Sequence, residues 1–166
     1  MKRTFNLLML IAASLALNAQ DFEVPKDYRL VDGEDYAPYE QDIIHCVDWL
    51  INTPLNEQTE KRADANKFLL QWLTGSPDVQ IEIKPEIVTF LSTTPDLLMI
   101  FMGGWAKYSL KTKKFDDKIN GTLKGIESVI EFYQKNRGFL KKDKHVEKYI
   151  KMQEKGKLTE YVEKNA

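Results

Sequence analysis

The chain has 166 residues, of which 43% are hydrophobic and 30% charged, as in an ordinary globular protein. Its formal net charge is only −1, and its single cysteine, Cys46, excludes an internal disulfide framework. We therefore expect one domain that is stabilised by packing, with Cys46 as a small buried side chain.

The first 19 residues have the pattern of a secretory signal peptide. Lys2 and Arg3 precede the apolar run 7–17, and a small residue, Ala19, follows it. A helix needs about 20 apolar residues to cross a bilayer, so this run is too short for a membrane anchor. We expect cleavage after Ala19, with Ala16 as the competing site, and a soluble periplasmic or secreted protein without a transmembrane segment.

The two parts of the chain differ in charge. Residues 20–106 contain 16 acidic and 6 basic side chains, whereas residues 107–166 contain 9 acidic and 16 basic ones. This asymmetry predicts either attraction between the two parts or an anionic partner for the basic part. Because glutamates are interspersed with the lysines at helical spacing, we favour a solvated helix face over binding of nucleic acid or of a membrane.

Residues 20–37 contain a proline, a glycine and several acids without a sustained period, which predicts an irregular acidic arm. The helical domain, residues 38–166, begins with a helix over 38–52 that Pro54 terminates. Four aromatic side chains are available to fix the arm to this domain: Phe22, Tyr28, Tyr36 and Tyr39.

The first helix carries the first group of candidate ligand-binding residues. Asp42, His45 and Trp49 fall on one side of it, since spacings of three and four residues join neighbouring turns. Asp42 would orient His45 for proton transfer or metal binding, and Trp49 would stack on a ligand. The alternative is an ordinary solvated face, because the chain has only 2 histidines and no second ligand pair spaced for zinc.

A second helix is predicted over 57–74, with Gly75 as its left-handed cap. The following "VQIEI" alternates like a strand, but no second strand is available to pair with it, so we expect an extended connector. Pro85 suits the first turn of a short helix after this connector.

The segment "TTPD" predicts the start of the central helix. Thr94 is its expected N-cap, Pro95 fits the first helical position, and Asp96 meets the positive end of the helix dipole. The uncharged portion, residues 97–106, is about half as long as a membrane crossing. We therefore expect a helix that other helices bury.

Gly103 and Gly104 lie within this helix, so they do not form a phosphate-binding loop, which would precede a helix. Each costs about 1 kcal/mol relative to alanine, and close approach of another backbone would offset this cost. The next helix has Gly121 and Gly125 four residues apart on one face. We predict that the two glycine-bearing faces cross closely; the alternative is a kink or a frayed end at each glycine.

Trp105, Lys107 and Tyr108 form the second group of candidate ligand-binding residues, where the central helix emerges from the core. Lys107 and Lys111 share a face at four-residue spacing. The alternative is that Trp105 and Tyr108 complete the packing, while the lysines complement the negative end of the helix dipole.

Three further signals divide the rest of the chain. Gly138 ends the fourth long helix, Asp143 caps the next one, and Gly156 stops it before a last short helix over 158–162. We thus predict an all-α, orthogonal assembly of six or seven helices around the central one.

Three segments, "FLLQWLTGSPDVQIEI", "DLLMIFMGGWAKYSL" and "GTLKGIESVIEFYQKN", resemble the central region of a family of small, uncharacterised, exported α-helical proteins of Bacteroidota. The similarity covers about residues 48–163. It implies a helical exported protein and brings no catalytic residues with it.

The chain has no serine nucleophile elbow, zinc motif, calcium loop or dinucleotide fingerprint. We therefore expect no cofactor and no metal, and predict a non-enzymatic binding module for an envelope protein or a small molecule. Two alternatives stay open. One is a small hydrolase-like enzyme that uses Asp42 and His45, and the other is a structural or assembly protein of the envelope.

Overall fold

The computed structural model describes residues 22–166, which form six α-helices and three short 3₁₀ turns. The α-helices are α1 (Glu40–Asn52), α2 (Thr59–Gly75), α3 (Leu97–Thr112), α4 (Lys118–Lys135), α5 (Lys144–Glu154) and α6 (Leu158–Asn165). The 3₁₀ turns are Gly33–Asp35, Ala37–Tyr39 and Thr89–Ser92. This part of the chain contains no β-strand, so the all-α prediction is confirmed. The signal peptide predicted for residues 1–19 lies outside the described residues.

Aromatic side chains fix the arm that precedes α1. Phe22 and Tyr36 are buried, although residues 22–37 contain no α-helix and no strand. The Phe22 ring lies 6.3 Å from the ring of Trp49 in α1, and the Tyr36 carbonyl accepts a hydrogen bond of 3.0 Å from the Trp72 indole. The arm is therefore packed against the first two helices.

Arg62 of α2 caps the C-terminal end of α1. Its guanidinium is buried and donates hydrogen bonds to the carbonyl oxygens of Leu50, at 3.1 Å, and Thr53, at 2.6 Å. Carbonyl groups at this end of a helix lack intrahelical partners and carry the negative end of its dipole. The rings of Trp49 and Phe132 flank the guanidinium at 5.6 and 5.7 Å. Burial lowers the pKa of Arg62, and these contacts offset the loss of water around the cation.

Buried residues occur along the whole of α3, from Leu97 to Leu110. This helix packs against α1, α2 and α4, and its interface with α4 is the most extensive between any two helices of residues 22–166. In the same part of the chain, no helix combines the length and apolar character needed to cross a bilayer. Neighbouring helices bury the apolar run of α3.

Asp143 caps α5, as predicted from the sequence. Its carboxylate accepts hydrogen bonds from the backbone N–H groups of His145, at 2.8 Å, and Val146, at 3.3 Å. α5 is followed by Gly156, whose φ of +66° suits a residue without a side chain. α6 then packs against α4 and α5.

The connection between α2 and α3 is extended at "VQIEI" and forms no strand. Two tyrosines from the last two helices hold its second half. The hydroxyl of Tyr149 donates to the Ile87 carbonyl at 2.6 Å, and the hydroxyl of Tyr161 donates to the Glu86 carbonyl at 2.6 Å. The C-terminal helices thereby fix a segment whose own hydrogen bonds are limited to short turns.

Two predicted helix boundaries are wrong. α3 begins at Leu97 and Thr94 does not cap it; the Thr94 hydroxyl instead donates to Asp143 at 2.9 Å. Gly75 is the last residue of α2 rather than a left-handed cap. A Cβ atom at Gly75 would lie 2.5 Å from Cζ of Tyr36, so the glycine makes room for that ring.

Ion pairs join the acidic part of the chain to the basic part. They link Asp48 with Lys107, Glu40 with Lys113, and Glu82 with Lys118. The charge asymmetry is thus partly neutralised within the fold, which is one of the two outcomes expected from the sequence.

Candidate functional site

The helices α3 and α4 approach closely at two glycines, one on each helix. A Cβ atom on Gly104 would lie 2.8 Å from the carbonyl oxygen of Lys124 and 2.7 Å from Cβ of Ser128. A Cβ atom on Gly125 would lie 2.9 Å from the carbonyl oxygen of Phe101. Because main-chain atoms cannot rotate away as a side chain can, both positions require glycine at this helix spacing.

The other two glycines have different neighbours. Gly121 lies under the indole of Trp105, whose Cδ1 would be 2.7 Å from an added Cβ atom. Gly103, which the sequence analysis assigns to the same crossing, faces Val47 of α1 and Leu69 of α2 instead, at 3.0 and 3.3 Å. Successive residues of a helix point about 100° apart, so two adjacent glycines cannot both face α4.

The structure separates Trp105 from the other two candidates on α3. Trp105 is buried against α4, and its indole N–H has no hydrogen-bond partner among residues 22–166. Lys107 and Tyr108 are half-buried and line a surface groove. Only Lys107 and Tyr108 of this group are therefore placed where a ligand can reach them.

This groove has a volume of about 310 Å³ and lies between α3 and α4, next to the point where the helices approach. We call it the α3–α4 groove. Gly104, Lys107, Tyr108 and Lys111 line it from α3, and Lys124 and Ser128 line it from α4 together with two glutamates. Its volume is at the lower end of the range for small-molecule sites, and it is open to solvent.

Most polar groups of the α3–α4 groove already have protein partners. Its ion pairs are Lys107–Asp48, Lys124–Glu127 and Lys135–Glu131. The Tyr108 hydroxyl donates to Asp117 at 2.7 Å, which raises the pKa of Tyr108. Lys111 and Ser128 differ, since neither side chain has a hydrogen bond or ion pair within the described part of the chain. The groove thus presents an ammonium group and a hydroxyl group that are available to a ligand.

Trp49 is not available as a stacking surface on α1. It is 6% exposed, and its ring packs against Phe22 of the arm and the guanidinium of Arg62. The helical period predicts Trp49 beside Asp42 and His45, since all three fall on one side of α1. The arm covers Trp49 through Phe22, and the helical period does not predict where the arm lies.

The structure does not show His45 bonded to Asp42. Nε2 of His45 lies 2.8 Å from the side-chain nitrogen of Gln41, one turn earlier, and both Asp42 and His45 are half-buried. Burial, with a contribution from the charge of Asp42, raises the pKa of Cys46 to about 12. The thiol of Cys46 donates to the carbonyl oxygen of Ala65 at 3.5 Å, so this cysteine is the small buried side chain that was predicted.

Among residues 22–166, the histidine, cysteine, aspartate and glutamate side chains nowhere gather in a group of three that would hold a metal ion. Comparisons of the chain with protein-family models, with curated proteins and with solved structures find no match. The resemblance to a Bacteroidota family therefore stays a prediction, and the geometry of the described residues is the basis for a functional proposal.

Proposed function

We propose that the chain is an exported, non-enzymatic binding module whose ligand occupies the α3–α4 groove. One observation carries this proposal. The groove is open, and Lys111 and Ser128 from its two sides have no partner among the described residues. A ligand with a carboxylate or phosphate group would accept a charge-assisted hydrogen bond from Lys111 and a second bond from Ser128.

The surroundings of Lys111 support this assignment of ligand chemistry. The two glutamates of the groove, Glu127 and Glu131, are held by Lys124 and Lys135 at 2.6 Å each. They are therefore partly neutralised, and the ammonium group of Lys111 is left for an external anion. Because Gly104 fixes the spacing of the two helices, the groove is formed before a ligand arrives, which reduces the entropic cost of binding.

Export is proposed from the sequence of the first 19 residues. Production in a bacterial host with a periplasm, followed by intact mass spectrometry of the periplasmic fraction, tests it directly. We expect a chain that begins at Gln20, because Ala19 is the proposed residue before the cleavage site. Full-length protein confined to the cytosol would contradict the export part of the proposal.

An amide NMR titration of the processed protein tests the groove, with inorganic phosphate and acetate as separate probes. We expect saturable shifts at Gly104, Lys111 and Ser128 with at least one probe. Lys111→Ala should weaken this binding roughly tenfold, since it removes a hydrogen bond to a charged group. Lys155→Ala is the matched control, because Lys155 is an exposed lysine at the C-terminal end of α5 and does not line the groove.

The same titration tests whether binding in the groove depends on His45, the residue that the hydrolase alternative requires for turnover. His45 lies on α1 and does not line the α3–α4 groove, so His45→Ala should leave the shifts unchanged. Shifts spread over all exposed lysines, or an unchanged affinity in Lys111→Ala, would contradict binding in the groove.

A further inference from the structure

The connection between α4 and α5 exposes an aromatic side chain to solvent. Phe139 is 55% exposed, and it is the only aromatic residue among the exposed large apolar side chains of residues 22–166. The others are Val31, Leu70 and Ile83. A single exposed apolar residue is common on protein surfaces, so Phe139 needs further observations before it indicates a partner.

A buried asparagine fixes the start of this connection. Asn136 is 0% exposed, and its side-chain oxygen accepts a hydrogen bond of 2.7 Å from the backbone N–H of Leu55. Its side-chain nitrogen donates to the carbonyl oxygen of Phe132 at 2.9 Å. The carbonyl oxygen of Asn136 also accepts from the N–H groups of Phe139 and Leu140, at 2.9 and 3.1 Å. The turn that carries Phe139 is thus tied to the α1–α2 connection.

A buried carboxylate fixes the other end. Asp143 is 1% exposed and accepts hydrogen bonds from the hydroxyl groups of Thr93, at 2.6 Å, and Thr94, at 2.9 Å. Its backbone N–H donates to the hydroxyl of Tyr133 at 3.1 Å. Buried polar groups therefore hold both ends of the connection, while its largest apolar side chain points away from the core.

The connection and the first residue of α5 carry exposed positive charge. Lys141, Lys142 and Lys144 are exposed, and their side chains have no ion pair within the described residues. Other lysines of the basic part, such as Lys107 and Lys113, are paired with acidic residues of the first helix. Three lysines that follow Phe139 closely in the chain are therefore among the cations that form no ion pair within the described residues.

We propose that residues 136–144 form a docking surface for a bilayer that contains anionic phospholipids. Most of this segment lies between α4 and α5, outside the helices for which interspersed glutamates predict a solvated face. We call this segment the docking loop. The three lysines would lie at the phosphate groups, where each basic residue contributes to attraction by an anionic surface. Phe139 would enter the boundary between headgroups and acyl chains, which removes an exposed aromatic ring from water.

The observations favour a membrane over a nucleic acid. Proteins that bind single strands through aromatic residues stack successive bases on several rings along a basic groove. The docking loop offers one exposed aromatic ring and three cations, so it lacks the row of rings that such stacking requires. An anionic bilayer needs no row of rings, because it takes up one apolar side chain among its headgroups and attracts nearby cations.

Co-sedimentation with phospholipid vesicles tests the proposal, using protein purified after export. Its intact mass first establishes that residues 1–19 have been removed, so a failure of export is distinguishable from a failure of lipid binding. We expect binding to vesicles of mixed phosphatidylglycerol and phosphatidylcholine, weaker binding at higher salt, and little binding to pure phosphatidylcholine.

Variants of the docking loop should reduce this binding without affecting the fold. Lys141→Ala combined with Lys142→Ala should weaken it at least about tenfold, because two cations are lost from the surface. Phe139→Ser should weaken it severalfold. The matched control is Lys155→Ala combined with Lys157→Ala, which removes the same charge beyond the far end of α5.

Three results would overturn the proposal. They are equal binding to neutral and anionic vesicles, equal loss of binding in the docking-loop and control pairs, and binding of a single-stranded oligonucleotide with no binding of vesicles. Because the replaced side chains are exposed, all variants should keep the parent's melting temperature, so a loss of binding would not reflect unfolding.

Discussion

The two ends of α4 differ in how their residues pack. In its first half, Gly121 makes room for the indole of Trp105, and Gly125 lets α4 approach the carbonyl oxygen of Phe101 on α3. At its end, Asn136 and Asp143 are buried to hold a connection whose largest apolar side chain, Phe139, is exposed. We therefore expect substitutions at buried positions of both regions to reduce stability, whereas substitutions of exposed side chains in the docking loop should leave stability unchanged.

The largest effect is expected at the helix crossing. Gly104→Leu places a side chain against the carbonyl of Lys124 and against Ser128, and overpacking of this kind costs about 1–3 kcal/mol or more. We expect the melting temperature, measured by circular dichroism, to fall by roughly 5–10 °C. Gly138→Ala is the control, since no heavy atom lies within 4 Å of its added Cβ. A Gly104→Leu variant that melts like the parent would show that the helices do not need this spacing.

The second effect is expected where α4 meets the docking loop. Asn136→Ala leaves the N–H of Leu55 and the carbonyl of Phe132 without their side-chain partner. Unsatisfied buried groups cost about 1–3 kcal/mol, and urea unfolding should show a loss of this size. Asn56→Ala, at an exposed asparagine of the α1–α2 connection, should change the unfolding free energy by less than about 0.5 kcal/mol. Equal effects of the two substitutions would argue against a structural role for Asn136.

A third, smaller effect concerns acid stability. Burial alone would raise the pKa of Asp143, but hydrogen bonds from Thr93, Thr94 and the first turn of α5 outweigh it and lower the pKa. A carboxyl whose folded pKa is depressed stabilises the fold above its unfolded pKa, about 3.9, and loses this contribution as pH falls through the folded pKa. The stability difference between the parent and Asp143→Asn should therefore shrink below about pH 4. A difference that stays constant down to about pH 2 would contradict this account.

The smallest effect on stability is expected at Phe139. Because the ring is largely exposed, Phe139→Ser should change the unfolding free energy by less than about 0.5 kcal/mol. Val31→Ser, at the most exposed of the large apolar side chains described, is the comparison on the acidic arm. A destabilisation of several kcal/mol at Phe139 alone would show that the ring belongs to the core and not to a binding surface.

Local patterns predicted the helices well because their signals lie within a few residues. The cap at Asp143, the stop at Gly156 and the burial of Cys46 all follow from the residue and its immediate neighbours. The buried apolar residues of α2 include Ala65, Leu69 and Trp72 at helical spacing, and Arg62 lies three residues before Ala65 on the same side. A cation at that spacing in an apolar stripe indicates a buried partner.

Contacts between distant segments could not be predicted in this way. Asn136 bonds to Leu55, 81 positions earlier, and nothing near either residue marks the pair. The sequence also does not show which of Gly103 and Gly104 faces α4, because that depends on how neighbouring helices rotate the central one. The α3–α4 groove is a consequence of that rotation, so the sequence draws attention to Gly104, Lys107, Tyr108 and Lys111 on α3 but not to the side chains that face them from α4.

The claim that α4 presents its C-terminal connection to an anionic membrane is tested most directly with an environment-sensitive dye at position 139. Cys46 is the only cysteine of the chain and is buried, so Phe139→Cys supplies one accessible thiol for labelling. With vesicles that contain phosphatidylglycerol, the emission of the dye should shift to shorter wavelength and be quenched by a lipid-bound quencher, whereas a dye at Val31→Cys should not respond. An unchanged spectrum at position 139, or the same change at both positions, would contradict the account.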